Sequence, residues 1–217
     1  LYLVVRLDGR GFTRLTKELL DLEAPFDARF RDAMLDTTAH LFDCGFQIVY
    51  GYTQSDEISL LLDLDDDTFG RKLRKILSVL SGEASACFSL AMRAHACFDA
   101  RVSQLPSEAR VIDYFRWRHE DAHRNSLNAH CYWRLRGQGL SADGATRRLK
   151  GMSTADKNEL LFQDGINFND LPAWQKRGMG VYWEDYEKAA VDPRTGVEVP
   201  AMRRRLCRAL ELPVGEA

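Results

Sequence analysis

Phe46-Gln47-Ile48-Val49-Tyr50-Gly51-Tyr52-Thr53-Gln54-Ser55-Asp56-Glu57-Ile58-Ser59-Leu60-Leu61-Leu62 holds two short apolar runs joined by a polar, glycine-containing connection. The spacing predicts strands over Phe46 to Tyr50 and Ile58 to Leu62, close enough in sequence to pair antiparallel. Upstream, Leu1 to Leu7 is almost uninterruptedly apolar and stops at Asp8-Gly9, which predicts a buried strand. The numbering thus opens inside the core, and further residues upstream are expected. Between these strands Phe26, Phe30, Met34 and Leu41 fall on one helical stripe, with Pro25 suited to a first turn and Gly45 to the position after the last. A second helix is predicted from about Phe69 to Arg93, and a fourth strand over Phe98 to Val102. The order strand, helix, strand, strand, helix, strand is the ferredoxin-like split βαβ arrangement: an α+β chain whose antiparallel sheet is backed by two helices.

From Pro106 to about Phe162 the chain reads as mostly helical. Val181 to Lys188 and Val197 to Arg205 then flank Asp192-Pro193-Arg194-Thr195-Gly196 and predict a hairpin. No linker splits the chain, so residues 1–105 are expected to form the catalytic core and 106–217 a helical extension with a C-terminal hairpin, packed as one domain.

Composition bounds the function. With 217 residues, 45% hydrophobic and 29% charged, the chain can bury a proper core. No apolar run reaches the length of a membrane span, and no signal peptide is visible. Five cysteines without a Cys-x-x-Cys pair argue against a disulfide framework or a cysteine-rich zinc site, and fit a reducing, cytoplasmic setting. A net charge of -2 excludes a generally polycationic protein; any nucleic-acid contact must use local clusters, such as Arg71-Lys72 with Arg74-Lys75, or Arg203-Arg204-Arg205.

Two acidic motifs carry the chemistry. Asp8-Gly9-Arg10-Gly11-Phe12 leaves a buried strand, with glycines that let backbone approach a ligand. Gln54-Ser55-Asp56-Glu57 belongs to the strand pair that neighbours the first strand in a split βαβ sheet. Asp8 and Asp56 can therefore project at one end of the sheet, with Glu57 turned to the opposite face as outer support. Converging carboxylates repel unless a cation lies between them, and hard oxygen ligands suit magnesium. Two such ions would activate a hydroxyl and stabilise a leaving phosphate.

At these residues the chain resembles the tRNA(His) guanylyltransferase family, above all its bacterial and archaeal tRNA 5′-end repair branch. The similarity runs through Arg6 to Phe12, Tyr50-Gly51, Gln54 to Glu57, Phe98 to Arg101, Asp113-Tyr114, Trp117-Arg118, His123 to Asn128, Gly151 to Ser153 and Lys157 to Leu160. The resemblance implies a polymerase-palm nucleotidyltransferase that adds nucleotides in the 3′-to-5′ direction to the 5′ end of tRNA, after activation by ATP or GTP. It implies Asp8, the Gly9 carbonyl and Asp56 as ligands of two magnesium ions, with Asp8, Asp56 and Glu57 catalytic. Nucleotide contacts would come from Arg10, Gly11, Phe12, Asp27, Ser55, Arg71, Lys72 and Lys75, and RNA contacts from Arg118, His123, Arg124 and Asn125. It also implies a homo-oligomer, a tetramer. Ala24, Ser126 and Thr13 depart from the eukaryotic pattern and favour general, template-directed 5′ repair over strict tRNA(His) recognition.

Other readings remain open on the sequence. His119-Glu120-Asp121-Ala122-His123 fits the H-E-x-x-H pattern of a zinc peptidase. The paired aspartates would equally serve a palm-type nucleotide cyclase, and the basic and aromatic residues a non-catalytic RNA-binding module.

Overall fold

The computed structural model describes residues 1–191, 193–194 and 196–212. β1 (Tyr2–Gly9) turns Leu3, Val5 and Leu7 to one face of the sheet and Val4, Arg6 and Asp8 to the other, following the two-residue period of a strand. The chain turns at Gly11, where φ is 75°, into a short helical stretch, α1 (Phe12–Arg14), and a π turn (Leu15–Leu19). α2 (Ala28–His40), β2 (Ile48–Gln54), β3 (Glu57–Leu62), α3 (Leu73–Met92) and β4 (Phe98–Leu105) complete the predicted order. α2 and α3 pack on the Leu3, Val5 and Leu7 face; α3 buries Ile76, Leu80, Ala84 and Phe88, one residue per turn.

All strands pair antiparallel in the order β4-β1-β3-β2-β5-β6, so the four strands of the split βαβ unit are extended at the β2 edge. α4 (Glu108–Gly137) covers the other face: the Tyr114 hydroxyl lies 3.1 Å from the Ser59 hydroxyl, and Phe115 packs edge-on against Tyr50. α4 also forms a second core with α5 (Ala142–Leu149) and α6 (Thr154–Gln163), centred on Leu127, Cys131, Leu135, Leu149 and Leu161. The short α7 (Ala173–Arg177) leads into β5 (Met179–Val191), which joins β2 over Met179 to Tyr182 and then runs on, paired among the described residues only with β6 (Glu198–Ala209), as a two-stranded arm. Asp192 and Thr195 of the expected turn lie outside the described residues.

Several boundaries differ from the sequence expectation. The first helix begins at Ala28, not Pro25: the Ala24-Pro25 peptide is cis, and the buried Asp27 accepts the Arg29 amide at 2.7 Å as the N-cap. The second helix begins at Leu73, because Phe69, Gly70 and Arg71 all have positive φ in the preceding turn. β2 reaches Gln54, so the long expected connection shrinks to a tight turn at Ser55-Asp56. Gly51 is required inside that strand because a side chain there would meet Thr38 of α2 at 2.9 Å and Phe42, in the turn that follows α2, at 3.0 Å.

Candidate active site

Asp56 occupies the tip of the β2–β3 hairpin. Its partner in the turn, Ser55, holds φ at 52°, a left-handed conformation uncommon for a residue with a side chain but demanded by a two-residue hairpin turn. Ser55 Oγ donates to Asp56 Oδ1 at 3.1 Å, and the Asp56 carbonyl accepts the Gly9 amide at 3.0 Å. That last bond ties the hairpin tip to the end of β1 and brings Asp8 and Asp56 together, as the strand order predicts. Burial raises the Asp56 carboxyl above the usual range, and the nearby Asp8 raises it further.

Glu57 departs from expectation. It is the register partner of Asp8 and so shares the face of Asp8 rather than turning away. Its carboxylate is held by Arg118, and Arg6 stands 3.9 Å from Glu57 and 3.7 Å from Asp8. Burial raises the Glu57 carboxyl, while these two arginines oppose the shift. The register also shows a residue to which the sequence reading assigned no role: Asp99 of β4 lies directly opposite Asp8 on its other side. Its place in the motif Phe98-Asp99-Ala100-Arg101 was visible; its alignment with Asp8 required the β1–β4 register.

Gly9 has a packing reason to be glycine. A side chain there would strike the Phe12 ring at 2.5 Å, and that ring is buried against Phe88 and Phe98. Arg10 and Gly11 form the turn between β1 and α1, with the Arg10 amide bonded to the Cys97 carbonyl at 2.8 Å.

Two hollows flank the Asp56 tip. One, of about 380 Å³, is walled by Phe12, Phe26, Phe30, Trp133 and Trp174, with Lys17, Arg31, Ser55 and Asp56 on its rim. The other, of about 310 Å³, lies between the tip, Glu57, Pro25 and the Asn125 and Ala129 side of α4. Asp27 borders the larger hollow, yet its two oxygens already accept the Glu23 amide at 2.8 Å, the Arg29 amide and the Arg29 guanidinium. The Arg29 bond holds its carboxyl well below the ordinary carboxylate range despite the opposing effect of burial.

The remaining expected residues separate. Arg71, Lys72 and Lys75 sit at the opposite end of the sheet from Asp56, roughly 20 Å away at about 3.3 Å per strand residue. Arg71 donates there to the carbonyls of Leu1, Leu64 and Asp66 at 3.0, 2.9 and 2.8 Å, fastening the turn before α3 to the start of β1. Within one chain these cations therefore do not meet a ligand at Asp8 and Asp56. Arg118, expected on RNA, is 4% exposed and bonded to Glu57 and Asp121, so it is an internal residue. Arg124 and Asn125 lie on the exposed side of α4, both bonded to Asp121.

His119 and His123 line a third hollow, of about 330 Å³, with Glu120, Arg124 and Arg177. Burial, then Arg177, lowers both imidazoles below the ordinary histidine range; Lys176 adds to the effect on His123. Among the described residues no three His, Cys, Asp or Glu side chains converge as a closed metal cage, and a guanidinium facing the histidine pair repels a dication. Burial and the neighbouring Arg177 thus leave the His119–His123 pair poorly suited to a dication. Asp8, Asp56 and the Gly9 carbonyl are a different case. The Asp8 charge reaches the Asp56 carboxyl, and a magnesium ion held by such hard oxygens would relieve that repulsion while keeping sites for water and phosphate.

Comparison with known proteins fits this geometry. The family described as tRNAHis guanylyltransferase matches residues 1–106, and the Thg1 C terminal domain matches residues 109–208. The chain belongs to the tRNA(His) guanylyltransferase family. A probable tRNA(His) guanylyltransferase of Drosophila melanogaster is 35% identical over 82% of this chain and 65% of its own length. That of Mus musculus is 31% identical over 95% of this chain and 73% of its own. The chain therefore spans about two thirds of the curated relatives it matches. A bacterial tRNA(His) guanylyltransferase-like protein, solved in complex with ATP, superposes with a TM-score of 0.72 at 31% identity, covering 98% of this chain and 84% of that one. The same kind of protein in complex with GTP gives a TM-score of 0.72 at 32% identity, covering 98% and 83%. The family's palm-like fold is the architecture found here.

Proposed function

We propose that this chain adds nucleotides in the 3′-to-5′ direction to the 5′ end of tRNA, as a magnesium-dependent, template-directed repair enzyme acting in the cytoplasm. The observation that carries the reading is Asp56 at a strained hairpin tip beside Asp8, with a separate hollow on either side of the tip. A reaction that joins an RNA end to a nucleotide needs two substrates to reach one set of carboxylates. The aromatic 380 Å³ hollow suits a nucleobase, which stacks on rings of this kind. The smaller hollow beside Asn125, bordered by Asp56 and Glu57, would take the RNA 5′ end with its phosphate next to the metal-holding carboxylates.

Asp8, Asp56 and the Gly9 carbonyl would hold magnesium, which when bound neutralises charge on phosphate oxygens. Ser55 fixes one Asp56 oxygen, and Arg6 and Arg118 offset the third carboxylate, Glu57, so that the edge is not left with three unbalanced charges. Catalysis in this arrangement is positioning and electrostatics; no covalent nucleophile is required. Lys72 and Lys75 could meet a triphosphate only from another copy of the chain. The projecting β5–β6 arm, with exposed Val191, Val199 and Met202, supports a homo-oligomeric enzyme, in keeping with a tetramer.

The test is labelled-nucleotide addition to 5′-truncated tRNAs, with ATP or GTP for activation and each of the four triphosphates in turn, with and without magnesium. Template-matched addition that falls to background in Asp8→Ala and Asp56→Ala is the expected result. A cyclic product from ATP or GTP without RNA would instead identify a cyclase, and tRNA binding without any incorporation an RNA-binding module.

A further inference from the structure

We propose that Arg118 is a positioning residue of this active site: it locks Glu57, and with it the metal-facing edge of the sheet, to the α4 surface that carries Asn125. The inference rests on the proposed reaction, since it concerns the same carboxylates.

The observation is a chain of charges that crosses from the sheet to the helix without a gap. Arg6 spans Asp8, at 3.7 Å, and Glu57, at 3.9 Å. The Glu57 carboxylate is then bonded by Nη2 of Arg118, and the same nitrogen donates to Asp121 at 3.1 Å. Asp121 in turn accepts Asn125 at 3.2 Å and Arg124 at 3.1 Å. Arg118 is the buried link, 4% exposed, with its guanidinium stacked 4.6 Å from the centre of the Trp117 ring.

Burying a guanidinium is unfavourable unless its partners are charged and fixed, so the site holds Arg118 in one place. Without it, Glu57 would be a half-buried carboxylate beside Asp8 and Asp56, balanced by Arg6 alone. It could then swing toward any cation those aspartates hold, or push their carboxylates apart. Asp121 would also be freed from one of its three donors, loosening Asn125 at the wall of the smaller hollow. Outer partners of metal ligands commonly set affinity or rate by about 10–100-fold.

The experiment compares Arg118→Gln, Arg118→Lys, Glu57→Gln and the Arg118→Gln/Glu57→Gln double variant in the full chain. Nucleotide addition and Mn2+ affinity, the latter by electron paramagnetic resonance without RNA, are measured with melting temperature as a fold control. Arg118→Gln is expected to lower kcat and to weaken Mn2+ binding, each by about tenfold or more, with KM for the nucleotide changed by less than about threefold. Arg118→Lys should recover most of both, because a single nitrogen makes both bonds. Adding Arg118→Gln to Glu57→Gln should change little further, since the charge it restrains is already gone. Unchanged kcat and Mn2+ affinity in a folded Arg118→Gln protein would overturn the proposal. So would strictly additive effects in the double variant, or an Arg118→Lys protein as impaired as Arg118→Gln. If the wild type incorporates no nucleotide, the proposed reaction fails, and the Mn2+ titrations still decide the role of Arg118.

Discussion

Asp27 shows how a residue read for chemistry can serve the backbone. Resemblance assigned it to the nucleotide; the structure makes it the N-cap of α2, with Arg29 bonded across both oxygens. A cap of this kind contributes about 1 kcal/mol, and the charged bond to a mostly exposed Arg29 adds less than a buried one would. Asp27→Ala, which removes both the cap and the charged bond, is therefore expected to destabilise the protein by about 1–2 kcal/mol at neutral pH. Because the folded-state pKa is depressed, the stabilisation is present above the unfolded value, near 3.9, and is lost as pH falls toward the folded one. Chemical denaturation at pH 7 and pH 3 should show the difference between wild type and variant shrinking at the lower pH. A gap that stays constant would mean that the carboxylate charge contributes nothing.

At the scale of elements, the β2–β3 hairpin and the β5–β6 arm do opposite things. The hairpin is short, tied to β1 through the Gly9 amide, and presents Asp56 on a rigid tip. The arm runs nine register pairs past Tyr182 and Cys207, out to Val191 and Glu198, with no third strand beside it among the described residues. A two-stranded ribbon is marginal in water when nothing covers it. Replacing the segment between Asp185 and Arg204 by a two-residue turn should leave the β2–β5 pairing and the melting temperature nearly unchanged while lowering the oligomeric state, as read by light scattering. An unchanged molar mass would show that the arm does not carry association.

Across the whole molecule, a net charge of -2 means that a polyanion gains nothing from the average field. Affinity for tRNA then depends on local arginines and lysines, and it should drop about tenfold or more as salt rises from about 50 to 200 mM in a filter-binding titration. A salt-insensitive affinity would point to stacking on aromatic residues instead.

The sequence by itself determined the order of the first four strands, the pairing of the two central strands, and the convergence of Asp8 and Asp56; that β5 and β6 extend the same sheet at the β2 edge came from the tertiary structure. The former features follow from periodicities of two and 3.6 residues and from short connections, all local properties of the chain. Only the tertiary structure decided which charged residues face a ligand and which face one another. Arg118 and Arg71 read as free cations in the sequence, because charge is visible there and burial is not. The first became an internal tie to Glu57 when α4 crossed the sheet, and the second a clasp on the carbonyls at the far end. Glu57 shares the face of Asp8 because β3 begins at Glu57, directly opposite Asp8, while Asp56 stays in the turn, so alternation cannot be counted from Asp56.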